Sequence, residues 1–172
     1  GQYLRCRSCF CVWSIASGLL TMRRIALLGA TGSIGKSTLD VIARHPDRYR
    51  VVVLSANKSV EDMAALCRSH CPEHAVMGDE AAADALRTAL ANVPEVTVSA
   101  GAEVLDELVS SPGIDTVVAG IVGFAGLRPT LSAARSGKTI LLANKEALVS
   151  AGKLFMEAVR QGGATLLPVD SE

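Results

Sequence analysis

Short runs of apolar, often β-branched residues alternate along this chain with segments that have helical spacing. Continuous apolar runs of this length are typical of strands buried on both faces, and helices between them would cover a parallel sheet on both sides. The sequence therefore predicts an α/β fold with an open, doubly wound and mostly parallel sheet. The predicted strands are residues 25–28, 51–54, 74–77, 96–98, 116–118, 139–142 and 164–167, and the predicted helices are residues 38–44, 60–69, 80–91, 127–135 and 145–161.

The composition fits this fold and argues against nucleic acid as a partner. A chain of 172 residues can bury a sizeable core, and 49% hydrophobic with only 3% aromatic residues suits helices on a sheet better than an aromatic-rich sandwich. Because 17 basic residues balance 17 acidic ones, nucleic acid is not an expected partner. Five cysteines, an odd number without regular spacing, favour a reducing compartment.

Residues 1–21 differ from the rest of the chain. They contain Arg5, Arg7 and a short apolar run that superficially resembles a signal peptide. The run is too short and too interrupted to span a bilayer, and Met22 then leads directly into the first predicted strand. We interpret residues 1–21 as an extension outside the domain, from a misplaced start, rather than as a targeting segment. A cytoplasmic location without a membrane partner is therefore expected.

A glycine-rich loop follows the first predicted strand. Gly29, Gly32 and Gly35 have the spacing G-x-x-G-x-x-G and lead into a helix predicted to begin near Lys36. Glycines here permit a tight turn and let the backbone approach a pyrophosphate, whose charge lies at the helix N-terminus. The order strand, loop, helix therefore predicts a dinucleotide site.

The residues after the second predicted strand indicate which dinucleotide. A site for NAD places Asp or Glu at that strand's end, where it holds the ribose 2′-hydroxyl. This chain has Asn57, Lys58 and Ser59 there, and the next acidic residue is Glu61. A carboxylate would repel a 2′-phosphate, whereas a lysine with Ser and Asn donors would hold one. NADP(H) is therefore the predicted cofactor, although a lone Lys58 would also suit a solvated loop.

The spacing of Cys67, His70, Cys71 and His74 invites comparison with a zinc site. Pro72 is expected to end the helix before His74, so that the four side chains would not share one helix face. No metal site is predicted there.

Polar residues also follow two strands of the second half. Asn144, Lys145 and Glu146 come after a strand, at the edge where open α/β sheets bind ligands. Asn144 would also suit a helix N-cap with Glu146 in the first turn, but Lys145 opposes the helix dipole unless an anion lies nearby. Asp170 and Glu172 are two positions apart at the end of the last predicted strand, so both carboxylates face one side and suit Mg²⁺ or Mn²⁺.

Three segments together resemble the 1-deoxy-D-xylulose 5-phosphate reductoisomerase family. They are Gly29-Ala-Thr-Gly-Ser-Ile-Gly35, Ala143-Asn-Lys-Glu-Ala-Leu-Val149 and Leu167-Pro-Val-Asp-Ser-Glu172, and the resemblance runs from about Met22 to Glu172. Members of that family convert the phosphosugar 1-deoxy-D-xylulose 5-phosphate to 2-C-methyl-D-erythritol 4-phosphate in non-mevalonate isoprenoid (isopentenyl diphosphate) biosynthesis. The resemblance implies NADPH and one Mg²⁺, Mn²⁺ or Co²⁺: metal-polarised substrate oxygens favour the rearrangement, and hydride from NADPH reduces the aldehyde intermediate.

The resemblance also implies roles for individual residues. The cofactor would contact Thr31, Gly32, Ser33 and Ile34 through its phosphates, Asn57, Lys58 and Ser59 around the 2′-phosphate, and Asn144 and Glu146 on the nicotinamide side. The substrate would contact Lys145, Ser171 and Glu172, the metal would be bound by Asp170 and Glu172, and the catalytic residues would be Lys145, Asp170 and Glu172. Asn57 departs from the glycine that relatives often have at its position.

The resemblance further implies that the chain is the N-terminal part of such an enzyme, truncated at the start of the catalytic domain. Residues 22–150 would form a Rossmann-type NADPH-binding domain, and residues 151–172 the last helix and strand that lead into the absent catalytic domain. Alone, this fragment would bind NADPH without turnover, and the full-length enzyme would be a homodimer.

Two other kinds of protein share parts of the pattern. A short-chain dehydrogenase needs Tyr-x-x-x-Lys, but Arg7 and Val53 stand four positions after Tyr3 and Tyr49. A non-catalytic NADP(H)-binding redox sensor would explain the glycine loop, yet it leaves Lys145 and the paired carboxylates without a role. The sensor is the alternative to the enzyme.

Overall fold

The computed structural model describes residues 22–121, 124–143 and 145–169; of residue 124 and residues 145–151 only the backbone is described. Strands and helices alternate through this part of the chain. The strands are β1 (Arg23–Leu28), β2 (Tyr49–Ala56), β3 (His74–Met77), β4 (Thr97–Ala100), β5 (Thr116–Ala119), β6 (Thr139–Leu142) and β7 (Thr165–Pro168). The helices are α1 (Ser33–Arg44), α2 (Val60–His70), α3 (Glu80–Ala89), α4 (Ala102–Ser110), α5 (Leu127–Arg135) and α6 (Lys145–Gly162), and a 3₁₀ turn at Phe124–Gly126 precedes α5.

The seven strands form one parallel sheet in the order β4-β3-β2-β1-β5-β6-β7. The chain builds outward from β1 to β4, returns to the other side of β1 with β5, and continues outward to β7. The direction of winding therefore reverses between β1 and β5, and open α/β sheets bind ligands outside the carboxyl ends of their strands at such a point. The predicted doubly wound, Rossmann-type sheet is confirmed.

In the central strands both faces of the sheet are buried, whereas the edge strands β4 and β7 are partly exposed. Successive side chains of a strand point to opposite faces. Leu27 of β1 belongs to a cluster of buried residues that includes side chains of α1, α2 and α3. Its neighbour Leu28 belongs to the opposite cluster, with side chains of α4, α5 and α6 such as Phe155. Three helices thus cover each face, which explains why the strands appear in the sequence as continuous apolar runs.

Two helices differ from their predictions by more than two residues. α1 begins at Ser33 rather than near Lys36, so that part of the glycine sequence lies inside the helix. α4 is not among the predicted helices, although its buried Leu105 and Val109 are four residues apart, as one face of a helix requires. A single pair of apolar positions in so short a segment is a weak helical signal, and packing against the sheet decides its conformation.

The predicted domain boundary between residues 150 and 151 falls within α6, which is continuous there. The strand that follows, β7, pairs with β6 in the same sheet. The division into domains stays a prediction. None of the helices described in this structure has the length and apolar character that crossing a membrane requires.

The helix α2 ends at His70, one residue beyond its predicted end and before Pro72, so the cysteines and histidines near its end do not all belong to one helix. The backbone of Cys71 is left-handed, with φ of 45°, and His74 already belongs to β3. Within the part of the chain that the structure describes, no group of three or more His, Cys, Asp or Glu side chains is placed to hold a metal. Cys67 instead lies in the core beside Met63.

The reactivity of the Cys67 thiol tests whether this side chain is buried in the core. Burial raises the pKa of its thiol from 9.0 to about 11, although nearby Arg68 acts in the opposite direction. The folded chain therefore retains the proton more strongly, so the stability that the neutral thiol contributes is fully present below pH 9 and is lost as the pH rises towards 11. We expect iodoacetamide at pH 8 to label Cys67 slowly in the folded chain and rapidly in urea, as measured by peptide mapping. Equal rates in the two conditions would contradict the buried placement.

Candidate functional site

The loop after β1 lies directly against the end of β5. Gly29 has φ of +80°, and a Cβ at this residue would lie 2.9 Å from the carbonyl oxygen of Gly120. The Gly120 amide in turn donates a hydrogen bond of 2.9 Å to the Leu28 carbonyl. Since Gly29 needs both a left-handed backbone and this close contact, only glycine suits the position. The two loops that flank the point of reversal thus touch through their backbones.

The same loop is fixed on its other side by β2. The amides of Gly29 and Ala30 donate to the Ser55 carbonyl oxygen over 3.1 and 2.8 Å. The Gly29 amide is also 3.3 Å from the Ser55 hydroxyl oxygen. The loop is therefore held between the carboxyl ends of β2 and β5 before any ligand binds.

The N-terminus of α1 follows this loop and is open to an anion. Gly32 is the N-cap, and the first hydrogen bond of the helix runs from the Lys36 amide to the Gly32 carbonyl over 3.0 Å. The cap has no side-chain hydrogen bond, and the first turn of α1 contains no acidic residue. Gly32 and Ser33 are exposed. Unpaired amides and the positive end of the helix dipole make such a terminus a binding site for phosphate.

Two glycines of the loop have different surroundings. A Cβ on Gly35 would overlap with the carbonyl oxygens of Gly29 and Ala30, so this glycine lets α1 pack directly on the loop. A Cβ on Gly32 would make an ordinary contact of 3.5 Å with the Gly29 carbonyl oxygen. Gly35 is therefore required by the fold, whereas the fold does not require glycine at Gly32, which lies on the exposed side of the loop.

The residues predicted for the 2′-phosphate follow β2, the neighbour of β1. Asn57, Lys58 and Ser59 are all exposed, and α2 begins immediately afterwards with Ser59 as its N-cap. The Lys58 ammonium lies 3.7 Å from a carboxylate oxygen of Asp79, which is the N-cap of α3. Sequence reasoning missed Asp79, because only the pairing of β2 with β3 brings the two loops together.

A second lysine lies near this edge of the sheet. Lys36, in the first turns of α1, is 3.8 Å from a carboxylate oxygen of Asp62 in α2. Both side chains are largely exposed, and an exposed ion pair of this length contributes little to stability. Lys36 is thus available to an anionic ligand at the amino end of α1.

The remaining predicted site residues follow β6 and β7 in the sequence. Asn144, Asp170, Ser171 and Glu172 lie outside the described residues, and of Lys145 and Glu146 only the helical backbone is described. The Val169 amide donates to the Leu142 carbonyl over 2.9 Å, so the chain leaves β7 beside the end of β6. Since the sheet is parallel, this is the edge that carries the glycine loop. The roles of these six residues stay predictions.

Comparison with known protein families establishes which family this chain belongs to. The sequence model of 1-deoxy-D-xylulose 5-phosphate reductoisomerase matches residues 25–152. The chain belongs to this reductoisomerase family. The match covers two of the three segments that carry the resemblance, residues 29–35 and 143–149, and ends before the third, residues 167–172.

Curated members of the family are closely similar to this chain. The reductoisomerase of Ralstonia nicotianae is 59% identical over 152 residues, which are 88% of this chain and 39% of the relative. That of Nitrosococcus oceani is 58% identical over 149 residues, 86% of this chain and 38% of the relative. The chain thus spans about two fifths of the length of these relatives.

Solved reductoisomerases have the same fold in the corresponding part. The Zymomonas mobilis enzyme in complex with NADPH is 50% identical, with a TM-score of 0.81 over 87% of this chain and 39% of that one. A reductoisomerase in complex with magnesium is 44% identical, with a TM-score of 0.84 over 88% of this chain and 38% of that one. A dehydrogenase from Bordetella pertussis, 17% identical with a TM-score of 0.58, shares the fold alone.

Proposed function

We propose that this chain is the NADPH-binding part of a 1-deoxy-D-xylulose 5-phosphate reductoisomerase. The observation that carries the proposal is the open N-terminus of α1, set between two loops at the point where the sheet reverses. This arrangement fits a dinucleotide pyrophosphate. The Zymomonas mobilis relative, which is 50% identical, was solved in complex with NADPH and supports the choice of cofactor.

In this proposal the loop after β1 holds the pyrophosphate. Thr31, Gly32, Ser33 and Ile34 surround the amino end of α1, where backbone amides and two hydroxyl groups can donate hydrogen bonds. Gly29 and Gly35 bring the backbone of the loop close to the sheet and leave its exposed side clear. The protein thus fixes the phosphates mainly through backbone groups, which need no rearrangement on binding.

The loop after β2 would select the phosphorylated cofactor. Asn57, Lys58 and Ser59 are exposed beside the glycine loop and offer one positive charge with amide and hydroxyl donors. Lys36 adds a second cation on the neighbouring helix. A 2′-phosphate carries about two negative charges near neutral pH, so these cations favour NADPH over NADH.

The reaction would take place at the ends of β6 and β7. Asn144 and Glu146 would line the nicotinamide side, Lys145 and Ser171 would bind the phosphosugar, and Asp170 and Glu172 would hold Mg²⁺, Mn²⁺ or Co²⁺ with Glu172 also close to the substrate. When bound, the metal polarises substrate oxygens for the rearrangement, and NADPH supplies the hydride for the reduction. A relative that is 44% identical was solved in complex with magnesium, which supports the metal.

The proposal assigns catalysis to a longer protein than the part matched here. Because the chain spans about 39% of the length of its relatives, residues 1–172 alone are proposed to bind NADPH without turnover. A relative solved with fosmidomycin and magnesium supports a phosphorylated substrate, because fosmidomycin is a phosphonate. The complete enzyme is proposed to be a cytoplasmic homodimer.

Binding of NADPH tests this proposal directly. We expect the chain to bind NADPH more tightly than NADH. We also expect Lys58→Ala to lower the affinity for NADPH about tenfold, because one charge on the 2′-phosphate loses its partner, and to change the affinity for NADH less than about twofold. Nucleotide fluorescence in a titration measures both affinities. Lys153→Ala, an exposed lysine in the middle of α6, is the matched control. Equal affinity of the unaltered chain for the two nucleotides would contradict the proposal.

A further inference from the structure

The turn between β3 and α3 brings an acidic residue to the loop that is proposed to bind the 2′-phosphate. Asp79 uses its two carboxylate oxygens differently. Oδ1 accepts a hydrogen bond of 2.8 Å from the Ala82 amide and so caps α3. Oδ2 lies 3.7 Å from the Lys58 ammonium. An N-cap requires an oxygen acceptor but no charge, since Asn and Ser cap as well as Asp. The negative charge of Asp79 adds a modest attraction to the positive end of the helix dipole, and the same charge also faces Lys58.

The position of Asp79 beside Lys58 is fixed by the backbone. β2 and β3 pair in parallel, with Ala56 opposite Met77, and the Gly78 amide donates to the Asn57 carbonyl over 2.9 Å. A Cβ on Gly78 would overlap with the side-chain oxygen of Asn57. Glycine thus lets the two loops approach each other, and the approach holds the carboxylate next to the lysine.

We propose that Asp79 limits the preference of this site for NADPH over NADH. This inference rests on the proposed binding of NADPH to the loops after β1 and β2. Without a ligand the carboxylate is the partner of Lys58, which is 74% exposed in its side chain and accessible to a phosphate. A 2′-phosphate must compete with Asp79 for the ammonium and is also repelled by the carboxylate. NADH has no 2′-phosphate and experiences neither effect, so Asp79 acts on selectivity rather than on dinucleotide binding in general.

The test is Asp79→Asn, which removes the charge but keeps an oxygen that can cap α3. We expect the Kd for NADPH to fall about three- to tenfold at low ionic strength and the Kd for NADH to change less than about twofold. The gain should shrink at higher ionic strength, because salt screens exposed charges. Asp40→Asn is the matched control: it removes the same charge and an ion pair of 2.7 Å with Arg44, but within α1.

Repeating Asp79→Asn in the Lys58→Ala variant separates the two effects of Asp79, its competition with the 2′-phosphate for Lys58 and its repulsion of that phosphate. In Lys58→Ala the carboxylate has lost the lysine, so Asp79→Asn should improve NADPH binding by a smaller factor than in the unaltered chain. Unchanged or weaker NADPH binding in Asp79→Asn, or an equal change for NADH, would overturn the role of Asp79. Failure of the unaltered chain to bind NADPH would instead contradict the proposed function. Thermal melting by circular dichroism verifies that the variants are folded.

Discussion

Replacing Gly35 with alanine is expected to destabilise the fold by about 2 kcal/mol or more, although helix propensity alone predicts the opposite. Alanine is favoured over glycine inside a helix by roughly 1 kcal/mol. At Gly35, however, the new Cβ would overlap with two backbone carbonyl oxygens, those of Gly29 and Ala30. Such overpacking costs about 1–3 kcal/mol, and backbone atoms relax less easily than side chains. Urea unfolding followed by circular dichroism measures the difference.

Gly152→Ala is the control for Gly35→Ala, because Gly152 is also inside a helix. Among the described residues, no atom outside the local backbone of α6 lies within 4 Å of a Cβ at Gly152, so this substitution should stabilise the chain by about 0.5–1 kcal/mol. Opposite signs for two glycine-to-alanine changes in helices would show that contact with the loop, and not propensity, determines the effect at Gly35. Equal stabilisation by both would contradict the described packing of α1.

Gly32→Ala, measured in the same experiment, distinguishes an effect on NADPH affinity from an effect on the stability of the fold. Its Cβ has an ordinary contact of 3.5 Å and the residue is exposed, so the free energy of unfolding should change by less than about 0.5 kcal/mol. The methyl group would nevertheless stand on the side of the loop where the pyrophosphate is proposed to lie. NADPH affinity should therefore fall about tenfold. Unchanged affinity would place the phosphates elsewhere.

The strands could be predicted because strands buried on both faces leave continuous apolar runs. β3 and β6 have the predicted bounds. β2 extends further in both directions, to Tyr49 and to Ala56, because hydrogen bonding to its neighbours continues past the apolar run. Ser55 shows the consequence: it is a buried polar residue at the end of β2, and its carbonyl oxygen anchors the glycine loop. The pattern of apolar residues predicts where the core lies, but not where the hydrogen bonding between neighbouring strands ends.

Contacts between loops could not be predicted, since they depend on the order of the strands. The approach of Asp79 to Lys58 follows from the pairing of β2 with β3. The contact of Gly29 with Gly120 follows from the pairing of β1 with β5. The start of α1 was also hidden, because Ser33, Ile34 and Gly35 have modest helix propensity and their conformation depends on packing. The loops proposed to bind the cofactor could thus be found from the sequence, but the residues beside them only from the strand order.

Loss of the Asp170 carboxylate is expected to reduce turnover about 1,000-fold or more without weakening NADPH binding. Two carboxylates at this edge are proposed to hold the divalent metal. Loss of one metal ligand removes several kcal/mol of transition-state stabilisation, and each 1.4 kcal/mol corresponds to about a factor of ten in rate. A chimaera that joins residues 22–172 to the downstream part of the Ralstonia nicotianae reductoisomerase suits the test, since the two are 59% identical over 152 residues. NADPH absorbance with 1-deoxy-D-xylulose 5-phosphate, with and without Mn²⁺, measures turnover.

The outcomes of this experiment distinguish the two functions that the sequence leaves open. Metal-dependent oxidation that is lost in Asp170→Asn but retained in Asp40→Asn would support the reductoisomerase, because only the first variant alters the proposed metal site. Full activity of Asp170→Asn would contradict the role of that carboxylate. A folded chimaera that binds NADPH but does not oxidise it would favour a redox sensor, since a sensor needs the α1 terminus and Lys58 but no metal ligand. NADPH affinity measured on the same samples decides between these results, because the proposed cofactor site uses the loops after β1 and β2 and not the end of β7.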